Sequence, residues 1–409
     1  MKKRVKRIFI LSMLASVLLY SCSIKEKEVP LDSEELLSFD VSTLDDREYD
    51  VNLSELMESV EIIQLDNSTE EAFTKIWKVV ISENYIMTLM ANTPVKLFDR
   101  SNGKFIGNIG KIGQGPGEYN LISEGTIDEE KNRIYLTEAF KNHAYAYDME
   151  GNFIKDETLY FPERIMWNEV YINKDNILVF MLPFLAHKTN PRYKKADKNV
   201  CWTQDRKGNI IQSIPAGKYA MNLSPCSQIY TSHLYKDSPV YSFSIRDVNM
   251  TRADTIYHYN IRENTMYPVY TTNMPYNKLC LVSSAESPSH YYTTQTKYKD
   301  GTEVNPWFIE HYRMLQVDKK TKKARYVRIK NDMLGGIDVP VLSFLLHMKD
   351  DTLWLHYYDL PALKDQLEEA LETNKDMSEE VRKRITGMKN RLNENDNDIL
   401  VICKFKKEI

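Results

Sequence analysis

The stretch GNIGKIGQGPGEYN, Gly107 to Asn120, gathers five of the chain's 14 glycines and one proline into fourteen residues. Glycine at that density can cradle phosphate, and two such cradles have defined spacings. A Walker loop needs G-x-x-x-x-G followed by Lys and Ser or Thr, which reach the phosphates and magnesium. Gly110 to Gly115 has the glycine spacing, but Pro116 and Gly117 stand where the cation and hydroxyl belong. The dinucleotide fingerprint G-x-G-x-x-G fails too, because Glu118 occupies the position of its third glycine. The run instead reads as a turn: glycines supply positive φ and close backbone approach, and Pro116 fixes one bend. Gly113, Gly115, Pro116, Gly117, Glu118 and Tyr119 form the motif, and Glu118 and Tyr119 are more specific than a turn alone requires.

Other catalytic spacings are missing. The chain has neither a G-x-S-x-G elbow nor H-E-x-x-H, and its eight histidines show no metal-ligand spacing. His143, His233, His258, His311 and His356 lie in or beside strand-like runs, where a hydrogen-bonded structural role is expected. Cys201, Cys226, Cys280 and Cys403 have no C-x-x-C spacing, which argues against zinc. Cys201 and Cys226 are the closest pair for a disulfide, and burial as small hydrophobes is the alternative. NENDND, Asn393 to Asp398, offers oxygen ligands without the glycine and distal glutamate of an EF-hand, so it reads as a solvated turn.

The elements that must position any site are short, aromatic-rich and repeated. KLFDRSNGKFIGNIG, YAYDMEGNFIKDETL, CWTQDRKGNIIQSIP, YHYNIRENTMYPVYT and LQVDKKTKKARYVRI each place a polar turn between two strand-like runs. Their turn residues Asp99, Asp148, Asp205, Asn260 and Asp318 are 49, 57, 55 and 58 residues apart. Further strand-like runs (NYIMTLM, NRIYLTE, NILVFML, PVYSFSI, DTLWLHYY) complete each unit. Four-stranded sheets repeating at this interval predict an all-β, six-bladed β-propeller over residues 51–409. An open ring would leave unpaired edges, so Val60 to Leu65 and Ile399 to Phe405 should share one blade and close it. Between LWLHYY and the last strand, residues 361–394 read as a helical hairpin. Leu363, Leu367 and Leu371 stripe one helix; Val381, Ile385, Met388 and Leu392 stripe another, expected to start at Asp376 with Glu379 as its capping partner. The hairpin should lie against one face of the ring.

The N-terminus reads as an export signal: MKKRVKR, then twelve apolar-leaning residues from Ile8 to Leu19, too few to span a bilayer of ~30 Å. LLYSC resembles the lipobox of bacterial lipoproteins, which implies a signal peptide over residues 1–21, a lipidated Cys22 and a polar tether over 22–50. With the leader go five of the 54 cations, moving the net charge from −4 to −9 against the 58 acidic residues that remain. Such an acidic balance disfavours nucleic acid as a partner.

GKIGQGPGEY, the preceding LFDRSNGKFIGNIG, RADTIYHYN, the closing NENDNDILVICKFK and the opening VNLSELMESVEIIQLD together resemble the six-bladed β-propeller lipoproteins of Bacteroides relatives, akin to NHL-repeat propellers. The resemblance implies an outer-membrane lipoprotein facing the periplasm or the cell surface, anchored in the membrane through its lipid. It brings no catalytic residue. With no catalytic set in the sequence and a rigid loop-covered face expected of a propeller, the reading favoured is a non-catalytic scaffold whose loops bind a protein or glycan; the tyrosines, as in SHYYTTQTKY (Ser289 to Tyr298), read first as strand aromatics, with stacking on sugars second. The alternative is a hydrolase or lyase holding a divalent ion in the central channel, with calcium as the candidate.

Overall fold

The computed structural model describes residues 36–407, apart from 164–167, 173–175, 191–193, 223–227, 236–237, 247–254, 275–279 and 299–308. Alternating apolar residues bounded by Asx turns give six antiparallel sheets around a ring, the predicted propeller. The first blade runs Lys78–Ile81, Tyr85–Leu89, Val95–Asp99 and Phe105–Ile109 from its innermost strand outward. The innermost strands of the second to fifth blades are Ile122–Asp128, Asn168–Ile172, Gln228–Ser232 and Cys280–Glu286. In the sixth blade, Met348–Lys349, Thr352–Tyr357 and Ile399–Phe405 are joined by Met57–Gln64 as outermost strand, with Val401 opposite Ile62. The ring closes as the terminal strands predict.

The five repeat turns share one construction. Asp99, Asp148, Asp205, Asn260 and Asp318 each accept backbone N–H bonds from residues two to four positions on. A left-handed residue follows: Gly103 (φ 72°), Gly151 (φ 83°), Gly208 (φ 89°), then Asn264 (φ 52°) and Lys322 (φ 58°). A side chain on Gly103, Gly151 or Gly208 would collide with the backbone oxygen of Gln64, Asn108 or Tyr160, each on or beside the preceding blade's outer strand. Glycine is therefore required where a turn nests against its neighbour. Asn264 instead donates its amide to the Ser213 carbonyl (3.2 Å) of the third blade.

Apolar clusters fill most seams between blades. Leu97 and Tyr147 meet between the first and second, Tyr135 and Trp202 between the second and third, Phe180 and Phe243 between the third and fourth. Phe98 packs with Leu400 at the closure, and Tyr292 with Phe344 and Leu355 between the fifth and sixth blades. The seam between the fourth and fifth is polar at its centre. Ser284 shares a hydroxyl bond with Thr293 (2.8 Å), Thr293 another with Tyr270 (2.9 Å), and buried Glu286 binds His258 (2.9 Å) and Lys319 (2.5 Å).

The tether expected over residues 22–50 ends earlier. Leu37–Phe39 joins the outer edge of the fourth blade, and Glu48–Asn52 pairs in parallel with Ala324–Asn331 of the fifth. The segment then enters the sixth blade, so it straps three consecutive blades. Sequence concealed this because an added edge strand is held by backbone hydrogen bonds, which polar residues make as well as apolar ones. Asp46 and Asp50 fasten the strap to Arg313 (3.0 Å) and Arg328 (2.9 Å).

The helical hairpin comprises Leu360–Thr373 and Glu379–Arg391. Leu363, Leu367, Ile385, Met388 and Leu392 are buried with Leu334 and Ile337, against the connection from the fifth to the sixth blade, while Leu371 is half-buried. The second helix starts later than Asp376, because Ser378 supplies the capping hydroxyl to the Val381 N–H (3.3 Å) and Asp376 is held in the preceding turn by Asn374.

Candidate functional site

The glycine motif connects the outer strand of the first blade to the inner strand of the second, and its polar groups bond to one another. Lys111–Ile112 and Glu118–Tyr119 pair in parallel. The Glu118 carboxylate accepts the Gly115 N–H (2.8 Å), while Gly113 donates to the Tyr119 carbonyl (3.0 Å). Side chains at Gly113 and Gly117 would overlap Glu118 and Phe153. The Tyr119 hydroxyl donates to the Ile109 carbonyl (2.6 Å) and accepts from Val95 (2.8 Å), and Tyr147 donates to the Gly117 carbonyl (2.8 Å). Burial pushes the Tyr119 phenol up to about 12. Pro116 is exposed at the tip. Glu118 and Tyr119 thus lock the loop that delivers the strand carrying Ser123 and Glu124.

That strand leads to the channel, where a charged cluster was not foreseen in the sequence. A cavity of about 380 Å³ is lined from five of the six innermost strands: Trp77 to Val79, Ser123, Glu169, Ile229 to Thr231, and Met348 with Lys349. His347, Trp354 and His356 complete its wall. On its floor Glu169 accepts from Lys78 (2.9 Å) and Lys349 (2.6 Å), and Lys78 also binds Glu124. Residues of the first, second, third and sixth blades are thereby tied across the bore. Asp350, a left-handed residue (φ 56°), accepts the His233 N–H (2.6 Å), and its own N–H donates to the Ser232 hydroxyl (2.9 Å). The sixth blade is so bound directly to the fourth.

The two carboxylates have opposite electrostatics. Burial raises both, but Lys349 and Lys78 outweigh it at Glu169 and hold that group at about 2. At Glu124 burial wins, helped by the charge on Glu169, and its pKa is raised. Both lysines are raised, because their glutamate partners overcome desolvation. His347 stacks on Trp354 (centroids 3.7 Å apart), and burial beside His356 depresses it to about 3.

The histidines divide. His233 bonds the Ser238 carbonyl (2.7 Å) and His258 bonds Glu286. Among the described residues, His143 Nε2, His347 Nδ1 and His356 Nδ1 are buried without a hydrogen-bond partner, although Asp398 lies 3.4 Å from His356 Nδ1. The His311 side chain lies outside the described residues. NENDND divides: Asn393, Glu394 and Asn395 form an exposed turn, whereas buried Asn397 accepts the Thr74 N–H (2.8 Å) and donates to the Asp66 and Ala72 carbonyls, and half-buried Asp396 accepts from Gln64 and Asn67. Cys201 and Cys403 are buried free thiols. Cys22 and Cys226 lie outside the described residues, as does the Cys280 side chain. Among the described residues, no group of three or more His, Cys, Asp or Glu is arranged to hold a metal ion.

A second cavity of about 760 Å³ lies between the helical hairpin and the connection from the fifth to the sixth blade, lined by Lys330, Asp338, Tyr357, Tyr358 and Asn374. His356 lines both cavities.

A solved structure shares this fold. A Bacteroides fragilis protein named as a candidate exported protein is 16% identical with a TM-score of 0.57, covering 91% of this chain and 100% of its own. A Bacteroides vulgatus member of the DUF4221 family is 12% identical at a TM-score of 0.48, covering 86% of this chain and 97% of its own. No curated protein sequence matches the chain. The model of a domain of unknown function, DUF4934, matches residues 36–404, and the chain belongs to that family.

Proposed function

We propose that the protein is an outer-membrane lipoprotein, anchored through Cys22, whose propeller binds a glycan at the channel mouth without transforming it. The observation that carries this reading is the makeup of the 380 Å³ cavity. Trp77 is 40% exposed, and half-buried Tyr230 lines the same cavity with Lys78, Glu169 and Lys349. Aromatic faces that stack on sugar rings, over a few convergent polar groups that fix orientation, suit a carbohydrate. Glu124 and Glu169 are engaged by lysines, which leaves their oxygens poorly disposed toward a cation and weighs against the channel-calcium enzyme. The export named for the Bacteroides fragilis neighbour is in keeping with an envelope location.

The test is a melting series with a panel of neutral and acidic oligosaccharides, run beside Trp77→Ala, with calcium and EDTA arms. A glycan that binds only the folded state stabilises it by about 2.7 kcal/mol at a hundredfold excess over Kd, which raises the midpoint. Trp77→Ala should abolish that rise. A calcium-dependent rise reversed by EDTA would replace this reading with the metal enzyme. Incorporation of labelled fatty acid, lost in Cys22→Ser, checks the anchor.

A further inference from the structure

We propose that the sugar held at the channel mouth is acidic, its carboxylate seated on the ammonium groups of Lys78 and Lys349. The inference rests on the glycan reading above and assigns the class of glycan. Exposure within the four-residue cluster is uneven: the Lys78 and Lys349 side chains keep 28% and 37% of their surface accessible, Glu124 and Glu169 only 1% and 12%. Glu124 lies outside the cavity's lining and Glu169 lines it at low exposure, so the two ammoniums are the more accessible charges of the cluster. Walls of protein surround both lysines, yet each is reachable through the mouth.

Each ammonium has three donors. Among the described residues, Lys349 gives one to Glu169, and Lys78 gives one to Glu124 and one to Glu169. Donors therefore remain on both for a guest. Of the other titratable groups nearby, Asp350 accepts the His233 N–H and also acts on Lys349, while His347 is stacked on Trp354. In a recessed pocket of reduced dielectric, a uronate carboxylate gains far more from two ammoniums than it would at an open surface. The rest of the leader-free chain is acidic, so this cationic floor is a local exception.

The test compares the full chain's affinity, by titration calorimetry, for tetragalacturonate and for the neutral galactose tetramer. Tetragalacturonate should bind at least tenfold more tightly. Its advantage should shrink as salt rises from 50 to 500 mM while neutral binding holds, a readout that needs no mutant. Lys349→Gln should erase the advantage, and Lys349→Arg should restore it. Equal affinities, or an advantage that Lys349→Gln leaves intact, overturn the acidic assignment and leave a glycan site standing. Binding of neither tetramer, with no response from Trp77→Ala across the sugar panel, removes both readings.

Discussion

Gly151 lies so close to the carbonyl oxygen of Asn108 that no side chain fits between them. The contact joins the second blade's turn to the first blade's outer strand, and the Gly110 N–H donates to the Gly151 carbonyl (3.2 Å) at the same place. Gly151→Ala adds a backbone collision to a left-handed φ and should cost about 2 kcal/mol or more. Gly107→Ala, with nothing within 4 Å of the added carbon, should stay within about 0.5 kcal/mol. Chemical denaturation of the pair reads the difference, and equal losses would count against the nesting argument.

Lys322 holds in the fifth blade the left-handed position that glycine holds in the first three. Its turn borders a cavity of about 530 Å³ beneath the strap, so no tight nesting restricts it. Lys322→Gly should therefore raise stability by roughly 1 kcal/mol, since it removes the steric cost of positive φ. An unchanged or lower melting midpoint would refute this.

Much of this architecture is legible because turn chemistry and alternation act locally. Asp99, Asp148, Asp205, Asn260 and Asp318 announce their hairpins, and the final strand announces the closure. The channel is different: Lys78, Glu124, Glu169 and Lys349 come from four blades at intervals that no motif encodes, and only the ring's curvature brings them together. The strap was hidden for another reason, as its pairing is made by backbone atoms. Glu118 and Tyr119 stood out in the sequence because they lock a loop.

Acid should unfold the protein in two stages. Burial depresses His347 to about 3 and His290 to about 4, below the ordinary 6.5, so both remain neutral in the fold while the unfolded chain protonates. Their contribution is present above pH 6.5 and lost as pH falls toward those values. Glu169, held at about 2 by its lysines against burial, and Glu286, held low by Lys319 and His258 against burial, contribute above about pH 4.5 and lose that contribution below it. Glu124 and Asp350, both raised by burial, act in the opposite sense but are fewer. The melting midpoint should fall from pH 7 to pH 4, less steeply in His347→Phe. A flat profile would contradict these assignments.

The strap spans the polar seam between the fourth and fifth blades. A chain begun at Asn52 loses Leu37–Phe39 and most of Glu48–Asn52, together with the Asp46–Arg313 and Asp50–Arg328 pairs. Hydrogen exchange should then accelerate first in Thr265–Thr272 and in Ala324–Asn331 ahead of its pairing with Ile337–Asp338, the strands left with bare edges, relative to a chain begun at Leu36. Acceleration spread evenly over all blades would count against a local role.

The same strap gives the ring a mechanical fuse. Tension arriving from the N-terminal side meets edge strands of three and then five residues before the eight-residue strand that closes the propeller. Peeling the sixteen residues from Leu37 to Asn52 frees about 55 Å of extended chain. A jolt on the N-terminal side would be absorbed as slack at the rim while the channel and its charged floor stay assembled. Force spectroscopy should show these short extensions preceding the main rupture.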